Sequence, residues 1–234
     1  MSNTRAAKDL NILGKAEVDS LIEDCVKKCE DQYRDADQTY VECLQKVRIV
    51  ELDDIMKLKL PVNGKPKPVV EHFLYDWGSM TRVLGREKYK GWENRLEKQI
   101  QSNRGELADV REKRLECVNL SDYEPKIRKC YESFKQAEIS PIAVAKILHL
   151  ICPDFFPPWD NSIEKAVRNE LEQKEEEFSA SDYYRFMKAI QGFLKEHEQT
   201  FSKLVKSEKG KLKIIDEFLW WFVRRPFYPF LKSS

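Results

Sequence analysis

The sequence predicts an all-α protein, and three observations carry that expectation. Apolar residues recur every three or four positions along most of the chain, and no run alternates apolar and polar residues as a half-buried strand does. Glycine is scarce, with 8 in 234 residues. At 41% hydrophobic residues the chain can enclose a core, so the expected architecture is one multi-helix domain or two helical subdomains. The scarcity of glycine also removes phosphate-cradling loops. Neither G-x-G-x-x-G nor G-x-x-x-x-G-K-[ST] occurs, which argues against dinucleotide and P-loop chemistry.

The first periodic segment runs from Val18 to Val47 through Leu21, Ile22, Cys25, Cys29, Tyr33, Ala36, Tyr40, Cys43 and Leu44, one long amphipathic helix or two in line. Between Glu17 and Asp54 it carries 12 acidic against 5 basic residues, a face that repels nucleic acid and suits a protein partner. The stretch Leu60 to Pro68, rich in proline with Asn63-Gly64 at its centre, reads as a loop. It divides an acidic helical segment, 1–60, from a main helical domain, 69–234.

A second helical series starts at Val69 and ends near Gly85. Residues Arg86 to Cys117 are charge-dense with sparse apolar anchors, as expected of solvent-facing helices with i,i+4 ion pairs. Further helices are expected over Tyr123 to Ala137, Pro141 to Ile151, Asn161 to Gln173, Asp182 to His197 and Leu212 to Phe222. The pairs Tyr75-Asp76-Trp77 and Asp216-Glu217-Phe218 read as core aromatics with solvated acids beside them. Three histidines and no Ser-His-Asp or Cys-His spacing give little basis for a histidine-based hydrolase.

The formal net charge is +1, which names no partner, but its distribution is uneven. From Lys203 to Lys232 there are 8 basic against 3 acidic residues, interleaved with Trp220, Trp221, Phe222, Phe227, Tyr228 and Phe230. Lys211, Lys213, Arg224 and Arg225 are therefore candidate phosphate contacts. The competing reading is a terminal helix that docks its aromatics in the core while its lysines snorkel. Met1 to Lys15 holds no apolar run, and Phe218 to Val223 is far short of the ~20 residues of a membrane span. No membrane association and a cytoplasmic location are expected. Most of the six cysteines are expected reduced and buried; Cys25/Cys29 and His149/Cys152 could each share a helix face, but no C-x-x-C occurs, and no metal or cofactor is expected.

The informative stretch is Ile139 to Ile163. A helix ends near Ala137, Ile139-Ser140-Pro141 turns into a short apolar helix with Pro141 at its first position, and that helix stops before Pro153. Pro157-Pro158 then delivers Trp159 and Asp160 to the head of another helix. Asn161 to Glu164 reads as a capping box with Asn161 as cap, which leaves Asp160 for other work; Asp160 could equally serve the cap or turn itself.

This segment resembles the helix-hairpin-helix DNA glycosylases. Ile139-Ser140-Pro141 stands where the hairpin of that superfamily lies, in an element near 125–152. Trp159-Asp160-Asn161-Ser162-Ile163 is similar to the segment bearing its catalytic aspartate. The resemblance implies double-stranded DNA as partner, with Ser140, Ile142 and Ala143 in the phosphate-binding turn. It implies Asp160 as the catalytic acid, Lys146 as an optional Schiff-base nucleophile, and Trp159 and His149 at the substrate, in hydrolysis of the N-glycosidic bond of a modified base. Ser140 and Ala143 replace the hairpin's glycines, and the iron–sulfur loop of some members has no counterpart. By their own chemistry, His149 also suits a core histidine and Trp159 a core anchor. The competing function is a non-enzymatic helical interaction module that binds a partner through its acidic first helix.

Overall fold

A computed structural model describes residues 13–32, 34–170, 178–205 and 209–224. The chain is mostly helical, with one small two-stranded sheet. Helices α1 (Lys15–Gln32) and α2 (Arg34–Arg48) follow one another, and a hairpin of β1 (Lys59–Val62) and β2 (Lys65–Pro68) leads into α3 (Val69–His72) and α4 (Thr81–Leu84). Then come α5 (Trp92–Ser102), α6 (Arg104–Arg111), α7 (Glu124–Lys135), α8 (Pro141–Ile151) and α9 (Asn161–Glu170). The chain closes with α10 (Ala180–Glu196), α11 (Glu198–Leu204) and α12 (Lys211–Arg224). Among the described residues no helix is long and apolar enough to cross a membrane.

The centre of the fold is α8. The Ser140 hydroxyl caps it by accepting from the Ala143 amide at 3.2 Å, and Pro141 pre-sets its first turn. Every residue from Ile142 to Ile151 is buried, as a helix apolar on all sides requires. Helices α7 and α2 pack on it, together with the turn after α3. Helix α12 lies against α1 and α9. One continuous core runs from Val18 to Phe222, so the segments 1–60 and 69–234 share it.

Two local features depart from the expected pattern, and a third decides between two expected caps. The stretch expected as a loop, Leu60 to Pro68, is a hairpin whose register pairs Lys59 with Pro68 and Val62 with Lys65. Asn63 (φ 50°) and Gly64 (φ 74°) form its two-residue turn, the conformation that Asn-Gly favours. The helix expected from Val69 to Gly85 is broken: after α3 the chain widens into a π-turn over Phe73–Trp77, and the Gly78 amide bonds the Phe73 carbonyl at 2.8 Å. Only glycine fits there, because a Cβ on Gly78 would lie 2.5 Å from the Leu74 carbonyl oxygen. At α9 the cap is Asp160 rather than Asn161: the Asp160 Oδ1 accepts from the amides of Ser162 at 2.7 Å and Ile163 at 2.8 Å. The extended Pro157-Pro158 approach brings the aspartate, one residue earlier, to the positive end of the helix.

Two substitutions test this account by thermal melting. Gly78→Ala is expected to destabilise by ~1–3 kcal/mol, because the Leu74 turn must shift to admit a methyl. Ser140→Ala is expected to cost ~1 kcal/mol through loss of the α8 cap.

Candidate functional site

Burial of α8 places two polar side chains where water cannot satisfy them. The Lys146 ammonium donates to the Gly78 carbonyl at 3.2 Å and lies 4.5 Å from the centroid of the Trp77 ring. The broken helix after α3 therefore serves α8 directly, since the π-turn presents the indole and Gly78 offers its carbonyl. Lys213 on α12 approaches the same indole at 5.5 Å and the Tyr40 ring at 5.4 Å. Two ammonium groups thus share one partly exposed aromatic face.

His149, one turn along α8, is fully enclosed. Its Nδ1 lies 2.8 Å from the Phe156 carbonyl, which can only accept, so Nδ1 carries the hydrogen and Nε2 accepts from the Tyr40 hydroxyl at 2.8 Å. Burial holds its pKa down to about 3, so the ring is neutral at physiological pH. Both nitrogens are used in joining α8 to α2 and to the proline loop. The expected contact of His149 with substrate is replaced by this structural role.

Trp159 is likewise in the core. Its ring stands edge-on to Phe178 at 4.2 Å and to Tyr183 at 4.9 Å between centroids. The Tyr183 hydroxyl donates to the Pro157 carbonyl at 2.9 Å and fixes the loop that ends in Asp160. Trp159 positions its neighbour and is not open to stack on a base.

Two further carboxylates, Asp216 and Glu217, lie on α12. Lys213 bonds Glu217 at 2.7 Å and lies 3.5 Å from Asp37 on α2; Lys209 bonds Glu217 at 3.0 Å and also pairs with Asp37. Burial works against the Lys213 charge, but Glu217, Asp216 and Asp37 outweigh it and hold its pKa above the usual lysine value. The Glu217 Oε2 lies buried with no hydrogen-bond partner. Burial pushes the Asp216 carboxyl up to about 6; Asp160 and Glu217 push the same way, whereas Lys213 and Lys146 oppose it. The charges of Lys146 and Asp160 thus both bear on the Asp216 carboxyl.

The expected phosphate contacts fare differently. Ile142 and Ala143 are buried, and the Ala143 amide is taken by the Ser140 hydroxyl. Lys211 is buried against Glu116 at 3.2 Å, beside an open pocket between Arg114, Asp154 and Gly210. Lys213 belongs to the ion cluster. The Arg224 side chain and Arg225 lie outside the described residues. Of the cysteine pairs, Cys25 and Cys29 do meet, Sγ to Sγ 3.8 Å, but the Cys152 thiol turns to the Leu107 carbonyl and away from His149. Among the described residues no three metal-ligating side chains converge.

Trp77, Tyr40, Asp37, Asp216 and Glu217 were not assigned to the site from the sequence. The acids of Asp216-Glu217, read as solvated, are in fact half-buried and buried. The i,i+4 placement of Lys213 and Glu217 was the available signal, visible only once one face of α12 is known to be enclosed.

Tyr40→Phe leaves the His149 Nε2 without a donor, an expected cost of ~1–3 kcal/mol on denaturant unfolding. Between about 6.5 and about 3 the unfolded chain protonates His149 and the folded chain does not, so this residue lowers stability as pH falls through that window. In His149→Gln that part of the pH slope is expected to vanish from urea melts. No family model, curated protein or solved structure matches the chain.

Proposed function

We propose that this protein binds double-stranded DNA in the manner of helix-hairpin-helix glycosylases and hydrolyses the N-glycosidic bond of a modified base. The observation that supports the reading is the placement of Asp160 at the head of α9 together with the Lys146 amine against the indole of Trp77. Asp160 is held by two backbone amides, so its carboxylate has a set position at the head of α9. A carboxylate so placed opposes the positive charge that grows on the sugar as the base departs. Lys146 makes the contacts of an ammonium, a carbonyl acceptor and an aromatic face. With its amine committed to that carbonyl, Lys146 is assigned a charge-balancing role and attack is assigned to water.

Base release from duplexes carrying deaminated, alkylated, oxidised or mismatched bases tests the reading. The wild type is expected to release base, Asp160→Asn to lose ~100-fold or more, and borohydride to trap no covalent adduct. Absence of base release on all these duplexes overturns the assignment. Activity unaffected by both Asp160→Asn and Lys146→Gln overturns the site.

A second reading is favoured by the fate of the cations. Lys211 and Lys213 are spent in internal pairs, and Glu138, at φ 53°, puts an exposed carboxylate at the tip of the hairpin. A non-enzymatic helical module that takes a protein partner on its acidic first helices accounts for both. Fluorescence anisotropy with duplex DNA at two salt concentrations separates the readings. DNA recognition predicts affinity that falls with salt, and the module predicts none above background.

A further inference from the structure

The α12 lysines expected to meet phosphate are buried, Lys211 against Glu116 and Lys213 in the ion cluster. A concentration of outward positive charge lies elsewhere. From Arg82 to Lys90 there are four basic residues, Arg82, Arg86, Lys88 and Lys90, against one acid, Glu87, and all five are exposed. Among the described residues Arg82, Arg86 and Lys88 take no acidic partner. Glu87 pairs with Lys90 at 3.3 Å, but with side chains 86% and 79% exposed that pair holds little of the lysine's charge.

The segment is a fixed ledge, anchored at both ends. Just before it, the Gly78 carbonyl accepts from Lys146 on α8. Beyond α4 the Tyr89 amide bonds the Arg86 carbonyl at 2.9 Å and the Lys90 amide bonds the Glu87 carbonyl at 3.1 Å, a tight turn over Glu87–Tyr89. Gly91, at φ 75°, then swings the chain into α5, where Trp92 is buried. Arg95 on α5 ties this end to the turn between α7 and α8. Its Nε donates to the Ala137 carbonyl at 2.8 Å and its Nη1 to the Lys90 carbonyl at 2.9 Å. The same guanidinium lies 3.4 Å from the Glu138 carboxylate and offsets the one acid at the tip of that turn. The ledge therefore reaches from Trp77 to the α7–α8 turn.

Resting on the DNA-binding reading, we propose that the ledge from Arg82 to Lys90 is the surface that takes the sugar-phosphate backbone of a duplex. Arg82 and Arg86 supply planar guanidinium forks that match two phosphate oxygens at once, and Lys88 supplies a point charge. A duplex gains from several cations held in one short segment, because each phosphate they neutralise releases condensed counterions. The anchors at Gly78 and Arg95 mean that little backbone freedom is given up on binding. Such contacts set the position of the duplex and carry no base preference.

The test is fluorescence anisotropy of the full chain with a mixed-sequence duplex over a series of salt concentrations. Arg82→Gln, Arg86→Gln and Lys88→Gln together are expected to take about 2.7 from the slope of log affinity against log salt, roughly 0.9 per cation. At ~0.1 M salt the same variant is expected to bind ~100-fold or more weakly, with an unchanged melting temperature. The charge-keeping set Arg82→Lys, Arg86→Lys and Lys88→Arg is expected to retain the slope. Should the glutamine set fail to fold, Arg86→Gln alone replaces it, with a loss of roughly 0.9 in slope. As a control, removal of three exposed lysines of α10 and α11 by Lys188→Gln, Lys195→Gln and Lys203→Gln is expected to leave the slope unchanged. A wild type that binds duplex while the folded glutamine set binds equally well, or a control that loses as much slope, overturns this surface alone. A wild type that binds no duplex above background overturns the DNA-binding reading together with it.

Discussion

The enclosure of α8 is the constraint on which the rest of the structure depends. A helix that is apolar on every side must be surrounded, and the surrounding elements are α7, α2 and the turn after α3. Two of its residues, Lys146 and His149, carry polar atoms into that interior, where an unmet hydrogen bond is expensive. Their needs explain otherwise unrelated oddities. The π-turn, the close approach at Gly78 and the buried Gly78 carbonyl meet Lys146, while the tight loop through Phe156 and the Tyr40 hydroxyl meet His149. The loop that satisfies the histidine is also the one that delivers Asp160 to α9.

Charge follows the same logic. A near-neutral chain with an acidic first part and a basic last part suggests two opposed surfaces, but the fold closes much of one on the other. Asp37 meets Lys209 and Lys213, and Asp19 accepts from His197 at 2.8 Å and Thr200 at 2.6 Å. Such buried pairs add little net stability, since desolvation offsets their attraction, but they disfavour any arrangement that leaves one partner alone. They hold α1 and α2 to the C-terminal helices. They also leave the basic half with fewer outward cations than a linear count suggests, which bears on both functional readings.

Helices were legible wherever one face repeats over several turns. The apolar run Pro141 to Ile151, its Ser140-Pro141 start and the charge-dense α5 and α6 all announce themselves. The hairpin at Lys59–Pro68 was not, because four-residue strands interrupted by Pro61 and Pro66 carry too few alternations to see. The break at Gly78 was hidden for a different reason: a glycine in a periodic run is tolerated in a helix, and only the crowding at Leu74 makes it a requirement. The cap at α9 was left between Asp160 and Asn161, since Asp and Asn are equally good caps and only the direction of the incoming chain decides between them.

Within the site, Lys146 and Asp160 could be picked out together because they lie in one stretch of local sequence. Tyr40 and His149, 109 positions apart, could not. By itself the sequence determined the helical class, the buried central helix and the hairpin preceding it, since each follows from short-range spacing. The tertiary structure decided which acids are spent in internal pairs. It buried Lys211 and Lys213, withdrew Trp159 and His149 into the core, and set Asp37 and Glu217 against lysines. Burial and charge partners are properties of neighbours distant in sequence, and the pattern along a single helix does not contain them.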